Sequence, residues 1–129
     1  MNAIWFGNAP ATEFDAKVWD RTLNMGLKST FLSAKYGILV MKKTGGGSIV
    51  NTGSVHSLVG FETHTAYDSA KVGGLGLTRV LALDYGPDIR VNAVLLGAIL
   101  TSLWGKVNKK ELKPWIEMVP KKQDRQAKR

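Results

Sequence analysis

The chain contains no cysteine, which excludes a disulfide scaffold, a thiol nucleophile and cysteine-ligated zinc. Its two histidines, His56 and His64, have no carboxylate at ligand spacing, so no metal site is expected. The longest apolar run, Ala93 to Leu100, is far shorter than the roughly 20 residues that cross a bilayer. The amino terminus, Met1-Asn2-Ala3-Ile4-Trp5-Phe6, carries neither a basic stretch nor a long apolar one, and no secretory leader is expected there. These absences predict a soluble, cytoplasmic protein with no membrane partner. Low apolar content is not among them: 44% of residues are hydrophobic, which excludes disorder as the main state. At 129 residues there is room for one domain (1–129) with a real core, and none for a second.

The net charge of +8 is unevenly placed. Residues 106–129, a basic carboxy-terminal tail, hold nine Lys and Arg against Glu111, Glu117 and Asp124. Such a stretch attracts phosphates in a salt-dependent way, but it is more often a solvated face. No aromatic-interleaved platform or recognition motif accompanies it, so nucleic acid is not the expected partner.

Residues 1–12 read as loop, with Gly7, Asn8 and Pro10 as turn formers. Trp19, Leu23, Leu27, Phe31, Ala34, Ile38 and Met41 recur every three or four positions, predicting one helix over 15–43 with Asp15 as its N-cap. Gly45-Gly46-Gly47 ends it. A short strand, Ser48 to Thr52, is expected to stop at Gly53, followed by a loop over 55–65, a helix over 65–85 and a buried strand from Arg90 to Leu95. A weaker helix is expected near 108–118. Strand, long helical crossover and strand imply a right-handed parallel unit, so the chain reads as part of an α/β sheet.

Within that frame Ser54, Tyr67 and Lys71 stand out. Tyr67 and Lys71 are four apart at the start of the second helix and share a face. Ser54 follows the first strand, at the sheet edge where open α/β folds bind ligands. A phenol of pKa about 10 is a poor acid–base group at neutral pH, but a lysine ammonium nearby favours the phenolate. A serine hydroxyl can hold a carbonyl or hydroxyl oxygen. A Tyr-x-x-x-Lys pair alone is more often a surface pair; the upstream serine, the strand end before it and the glycine-rich helix after it add the weight.

Asn51-Thr52-Gly53-Ser54, Tyr67-Asp68-Ser69-Ala70-Lys71 and Ile89-Arg90-Val91-Asn92-Ala93-Val94 together resemble the short-chain dehydrogenase/reductase family, in its block order, over most of the chain. The resemblance implies a partial Rossmann-type, three-layer α/β fold with parallel strands flanked by helices. It also implies NAD or NADP as cofactor and a small alcohol or carbonyl as substrate, interconverted by hydride transfer. In that scheme Tyr67 is the general acid/base, Lys71 holds the nicotinamide ribose and lowers the tyrosine pKa, and Ser54 positions the substrate carbonyl. Tyr67, Lys71, Gly97, Ile99 and Thr101 would contact the cofactor, and Ser54, His64 and Tyr67 the substrate, with Val59 and Phe61 bordering the pocket. Helices 15–43 and 65–85 would form the interface of a homo-oligomer.

The same resemblance marks departures. The family's glycine-rich phosphate loop has no counterpart, and Thr52-Gly53-Ser54-Val55-His56-Ser57 imitates only its start. Met1-Asn2-Ala3-Ile4 resembles the family's Asn-Asn-Ala-Gly segment without its glycine, so the chain is expected to lack the cofactor's phosphate-binding half. Gly26 takes the place of a supporting asparagine, and Leu96 that of a proline before Gly97. Gly73, Gly74 and Gly76 are expected to permit close packing, and Trp104 and Trp115 to be apolar anchors. Three functions follow in order of expectation: an NAD(P)-dependent oxidoreductase, an inactive fragment that associates with itself or a full-length relative, and a basic nucleic-acid binder acting through 106–129.

Overall fold

The computed structural model describes residues 7–99 and Lys113. Helix α1 (Ala16–Leu23) passes through a π turn (Asn24–Lys28) into α2 (Ser29–Lys43) without leaving helical backbone angles. Strand β1 (Gly47–Ser54), a 3₁₀ turn (Val55–Ser57), α3 (Thr65–Tyr85) and β2 (Ile89–Leu96) follow. β1 and β2 pair as a parallel two-stranded sheet joined by the α3 crossover. The α/β class predicted above is therefore the one observed. Contacts divide the chain into Met1–Leu95 and Leu96–Arg129. In the second unit Leu96 ends β2, Gly97 to Ile99 is irregular and Lys113 is helical; the rest of the helix expected near 108–118 lies outside the described residues.

Local chemistry explains the element boundaries. The Asp15 carboxylate accepts from the Val18 amide at 3.0 Å, capping α1 where the sequence predicts it. The expected single helix of 15–43 is one rod with a wider turn inside it. Around Gly26 the π turn displaces the usual ladder, and hydroxyls take up carbonyls there: Thr30 Oγ1 donates to Gly26 O at 2.9 Å, and Ser29 Oγ donates to Met25 O. Thr22, Ala34 and Ile38 are buried, whereas Phe31, expected inside, is 44% exposed.

The core joins Ala34 and Ile38 of α2, Leu81 of α3 and Ile89 and Val91 of β2, with Met41, Ile49, Leu77 and Tyr85 packed against it. Each fully buried aliphatic side chain contributes about 1.5–3 kcal/mol of transfer free energy. β2 was expected to be buried throughout; instead it alternates, with Ile89 and Val91 buried and Arg90, Asn92 and Val94 exposed. Alternation is what one covered sheet face produces. β1 also runs past its expected stop, because Gly53 is a strand residue packed so tightly that a Cβ there would meet Leu95 Cδ2 at 2.4 Å.

The α2–β1 junction depends on glycine. Gly46 has φ +109°, and a Cβ on it would stand 2.5 Å from Asp88 O, the oxygen that also accepts from the Gly47 amide. Gly46→Ala is expected to cost about 2 kcal/mol, from strain and a forced backbone shift together. A urea midpoint unchanged from wild type would show that this close approach does not persist in solution.

Candidate active site

Ser54 closes β1, and its buried side chain accepts from the His56 amide at 3.3 Å, which starts the 3₁₀ turn. Ser57, also buried, donates from its hydroxyl to Lys71 O at 3.0 Å and fastens that turn to α3. On the first turns of α3 stand Tyr67, half-buried, and Lys71, buried, one helical turn apart. The Lys71 ammonium lies 5.5 Å from the centroid of the Tyr67 ring, within cation–π range. Ser54 lies near enough to Tyr67 for its side chain to favour the phenolate. Ser54, Tyr67 and Lys71, thirteen and four residues apart in sequence, thus form one cluster.

The electrostatics differ from the expectation in one respect. Burial pushes the Tyr67 phenol above its ordinary pKa and Asp68 adds to the rise; only the Ser54 side chain works the other way. Burial also pulls the Lys71 ammonium below its ordinary pKa. The tyrosine is raised rather than lowered, because removing water from around the phenol disfavours its charged form.

His64 caps the start of α3, half-buried, with Nδ1 2.8 Å from Glu62 O and its ring 6.3 Å from that of Tyr67. It is held there by the chain's early residues: Ala9 bridges to His64, and Thr65 Oγ1 donates to Ala9 O at 3.0 Å. Gly97 and Ile99 follow the end of β2, and Thr101 lies outside the described residues. Of Gly73, Gly74 and Gly76, Gly73 packs closely, against Leu27; Gly74 and Gly76 meet nothing, which corrects the expectation for those two. Gly74 instead lines a shallow, solvent-open recess together with Gly26, Thr30, Asn51 and Lys71.

Two residues beside Tyr67 escaped the sequence reading. Asp68 pairs with His56 at 2.5 Å, and the His56 ring stands edge-on to Tyr67 at 5.0 Å. The absence of a carboxylate at ligand spacing from His56 concealed a carboxylate twelve residues on, delivered by the fold. Among the described residues no three His, Cys, Asp or Glu gather as a metal-ligand group.

Comparison with known proteins gives the family. The family described as short chain dehydrogenase matches residues 1–112. The chain belongs to that family. Among the relatives, trans-4-hydroxycyclohexanecarboxylate dehydrogenase of Sinomonas cyclohexanicum is 41% identical over 79% of this chain and 39% of its own length. 2,5-Dichloro-2,5-cyclohexadiene-1,4-diol dehydrogenase of Sphingobium indicum is 40% identical over 91% of this chain and 48% of its own. In structure, levodione reductase superposes with a TM-score of 0.83 at 31% identity, over 92% of this chain and 50% of that one. A candidate short-chain alcohol dehydrogenase of Sinorhizobium meliloti gives 0.86 at 31% identity, over 97% and 51%. The chain therefore spans about half or less of the length of the proteins it matches.

Proposed function

We propose that this chain carries the proton-transfer site of an NAD(P)-dependent oxidoreductase that interconverts a small alcohol and its carbonyl. The observation that supports this most is the flanking of one phenol, Tyr67, by a hydroxyl donor, Ser54, and a buried ammonium, Lys71. Tyr67 donates its proton to the carbonyl oxygen in reduction and takes it back in oxidation. Ser54 holds that oxygen beside the phenol by donating to it. Lys71, which opens onto the recess, fits the hydroxyl-rich ribose of a nicotinamide nucleotide as a donor. That nucleotide, when bound, supplies or removes the hydride. Gly97, Ile99 and Thr101 are assigned to its nicotinamide end, and His64 to the substrate side, by family resemblance.

Two relatives named for cyclic substrates bearing hydroxyl groups favour a small secondary alcohol, or its ketone, as the substrate class. Titrating the purified chain with NADH and NADPH, then assaying cyclohexanone reduction, tests the proposal. Saturable nucleotide binding with turnover supports it. A folded chain that does neither assigns the chemistry to a longer protein and leaves this chain as an associating fragment.

Association has an observation of its own. Val72, Val80 and Leu83 are 53%, 53% and 84% exposed on α3, and Phe31, Tyr36 and Leu39 on α2 are exposed as well. Apolar area of this extent marks an interface more often than a solvated helix. A second copy of the chain is the occupant proposed here. Val80→Lys together with Leu83→Lys is expected to convert the assembly to monomer in sedimentation velocity; a wild-type chain already monomeric at high concentration would refute the interface.

A further inference from the structure

Asp68 follows Tyr67 in the chain and spends both carboxylate oxygens on the segment that carries Ser54. One accepts from His56 Nδ1 at 2.5 Å, the other from the Phe61 amide at 2.8 Å. The paired side chains are 11% and 16% exposed. The His56 ring stacks on Phe61, with centroids 3.9 Å apart and planes 26° apart, and meets Tyr67 edge-on at 90°. The His56 amide in turn donates to Ser54 Oγ. A single carboxylate on the first turn of α3 therefore clamps residues 54–61 to the helix. Through one imidazole it reaches two of the three residues of the proposed site.

We infer that Asp68 and His56 are a positioning pair, which holds Tyr67 and Ser54 in register for proton transfer. Its catalytic meaning rests on the reading of Tyr67 as the acid–base. An exposed carboxylate–imidazole contact would contribute little, but this one is largely shielded, gives one carboxylate two hydrogen bonds and is braced by ring stacking. The other ionisable groups at the cluster are His64, with its ring 5.0 Å from that of His56, and Lys71 over the Tyr67 ring. Asp68 also helps to keep the Tyr67 phenol protonated.

The pair predicts a specific proton placement. A carboxylate only accepts, so the nitrogen facing it, Nδ1, carries hydrogen. In Asp68→Asn the amide can keep both contacts, its oxygen accepting from Phe61 and its NH₂ donating to His56, provided that Nδ1 gives up its hydrogen and Nε2 takes it. The experiment is ¹⁵N and ¹H NMR of the full chain at pH about 8, where an unpaired imidazole is neutral, for wild type, Asp68→Asn and Asp68→Ala. Expected are a protonated Nδ1 in wild type, a switch to Nε2–H in Asp68→Asn, and Phe61 amide exchange about tenfold faster or more in Asp68→Ala, with altered Tyr67 ring signals. Asp68→Asn should restore both the Phe61 protection and the Tyr67 signals. A bare Nδ1 in wild type overturns the proposal, as do unchanged Phe61 exchange and Tyr67 signals in Asp68→Ala. Should Asp68→Ala not fold, the tautomer switch in Asp68→Asn decides alone. None of these readouts passes through turnover, so an error about Tyr67's chemistry shows separately, in the kinetics of Tyr67→Phe.

Discussion

Replacing Tyr67 by phenylalanine is expected to lower carbonyl reduction by about 10²–10⁴-fold, the usual contribution of a positioned acid–base group. Phenylalanine keeps the ring that packs edge-on against His56 and beneath the Lys71 ammonium and removes only the hydroxyl. Stability should therefore change little while kcat collapses. The direction of the phenol's pKa adds a pH signature. Because burial raises it, Tyr67 is a neutral phenol at neutral pH, ready to donate. Reduction should accordingly hold steady through the neutral range and fall only at alkaline pH. Oxidation of an alcohol needs the phenolate and should rise with pH to a value above the ordinary phenol pKa of about 10. Progress curves followed by nicotinamide absorbance in both directions check this, and a reductive rate in Tyr67→Phe within a few-fold of wild type would remove Tyr67 from its assigned role.

Lys71→Met carries the second large expectation, with opposite signs for binding and stability. Losing the ammonium removes the donor proposed for the nucleotide ribose, so turnover should fall about as far as in Tyr67→Phe. The folded chain, however, should become more stable at neutral pH by about 1 kcal/mol, the common size of a trade between function and stability. The sign follows from linkage. Burial lowers the Lys71 pKa in the folded state, so between that value and the unfolded one, about 10.4, the unfolded chain binds more protons and stability rises with pH. At neutral pH, below that window, wild type bears the full cost of burying an ammonium. Methionine bears none, and the difference should close as pH rises through the window. Tyr67 acts in the opposite sense: its raised pKa makes stability fall as pH climbs above about 10. Urea unfolding of both proteins at neutral and alkaline pH measures the crossover. A Lys71→Met chain less stable than wild type at neutral pH would show that the ammonium is satisfied in the fold.

Much of the architecture is written in short-range chemistry. Asp15 followed by an apolar-periodic stretch announces its own cap, and α3 begins and ends at Thr65 and Tyr85, where the sequence places it. The four-residue spacing of Tyr67 and Lys71 puts both on one face because a helical turn has only one way to place them. β1 and β2 lie within a residue or two of their predicted bounds. All these features depend on neighbours a few positions away, so the residues carry them wherever the segment folds. The parallel unit follows as well, since a long crossover between two strands leaves few alternatives.

Other features needed the packed chain. The predicted stripe of α2 holds at Ala34, Ile38 and Met41, but Phe31, one turn after the π turn at Gly26, stands in water. Gly53 looked like a strand stop until Leu95 of the neighbouring strand pressed against it. Nothing in the residue order links Asp68 to His56; only the return of the chain over α3 sets them 2.5 Å apart. The direction of the Tyr67 pKa reversed for the same reason. A lysine four residues away is visible in the residue order, but desolvation is set by everything that surrounds the phenol, and that sum exists only after folding.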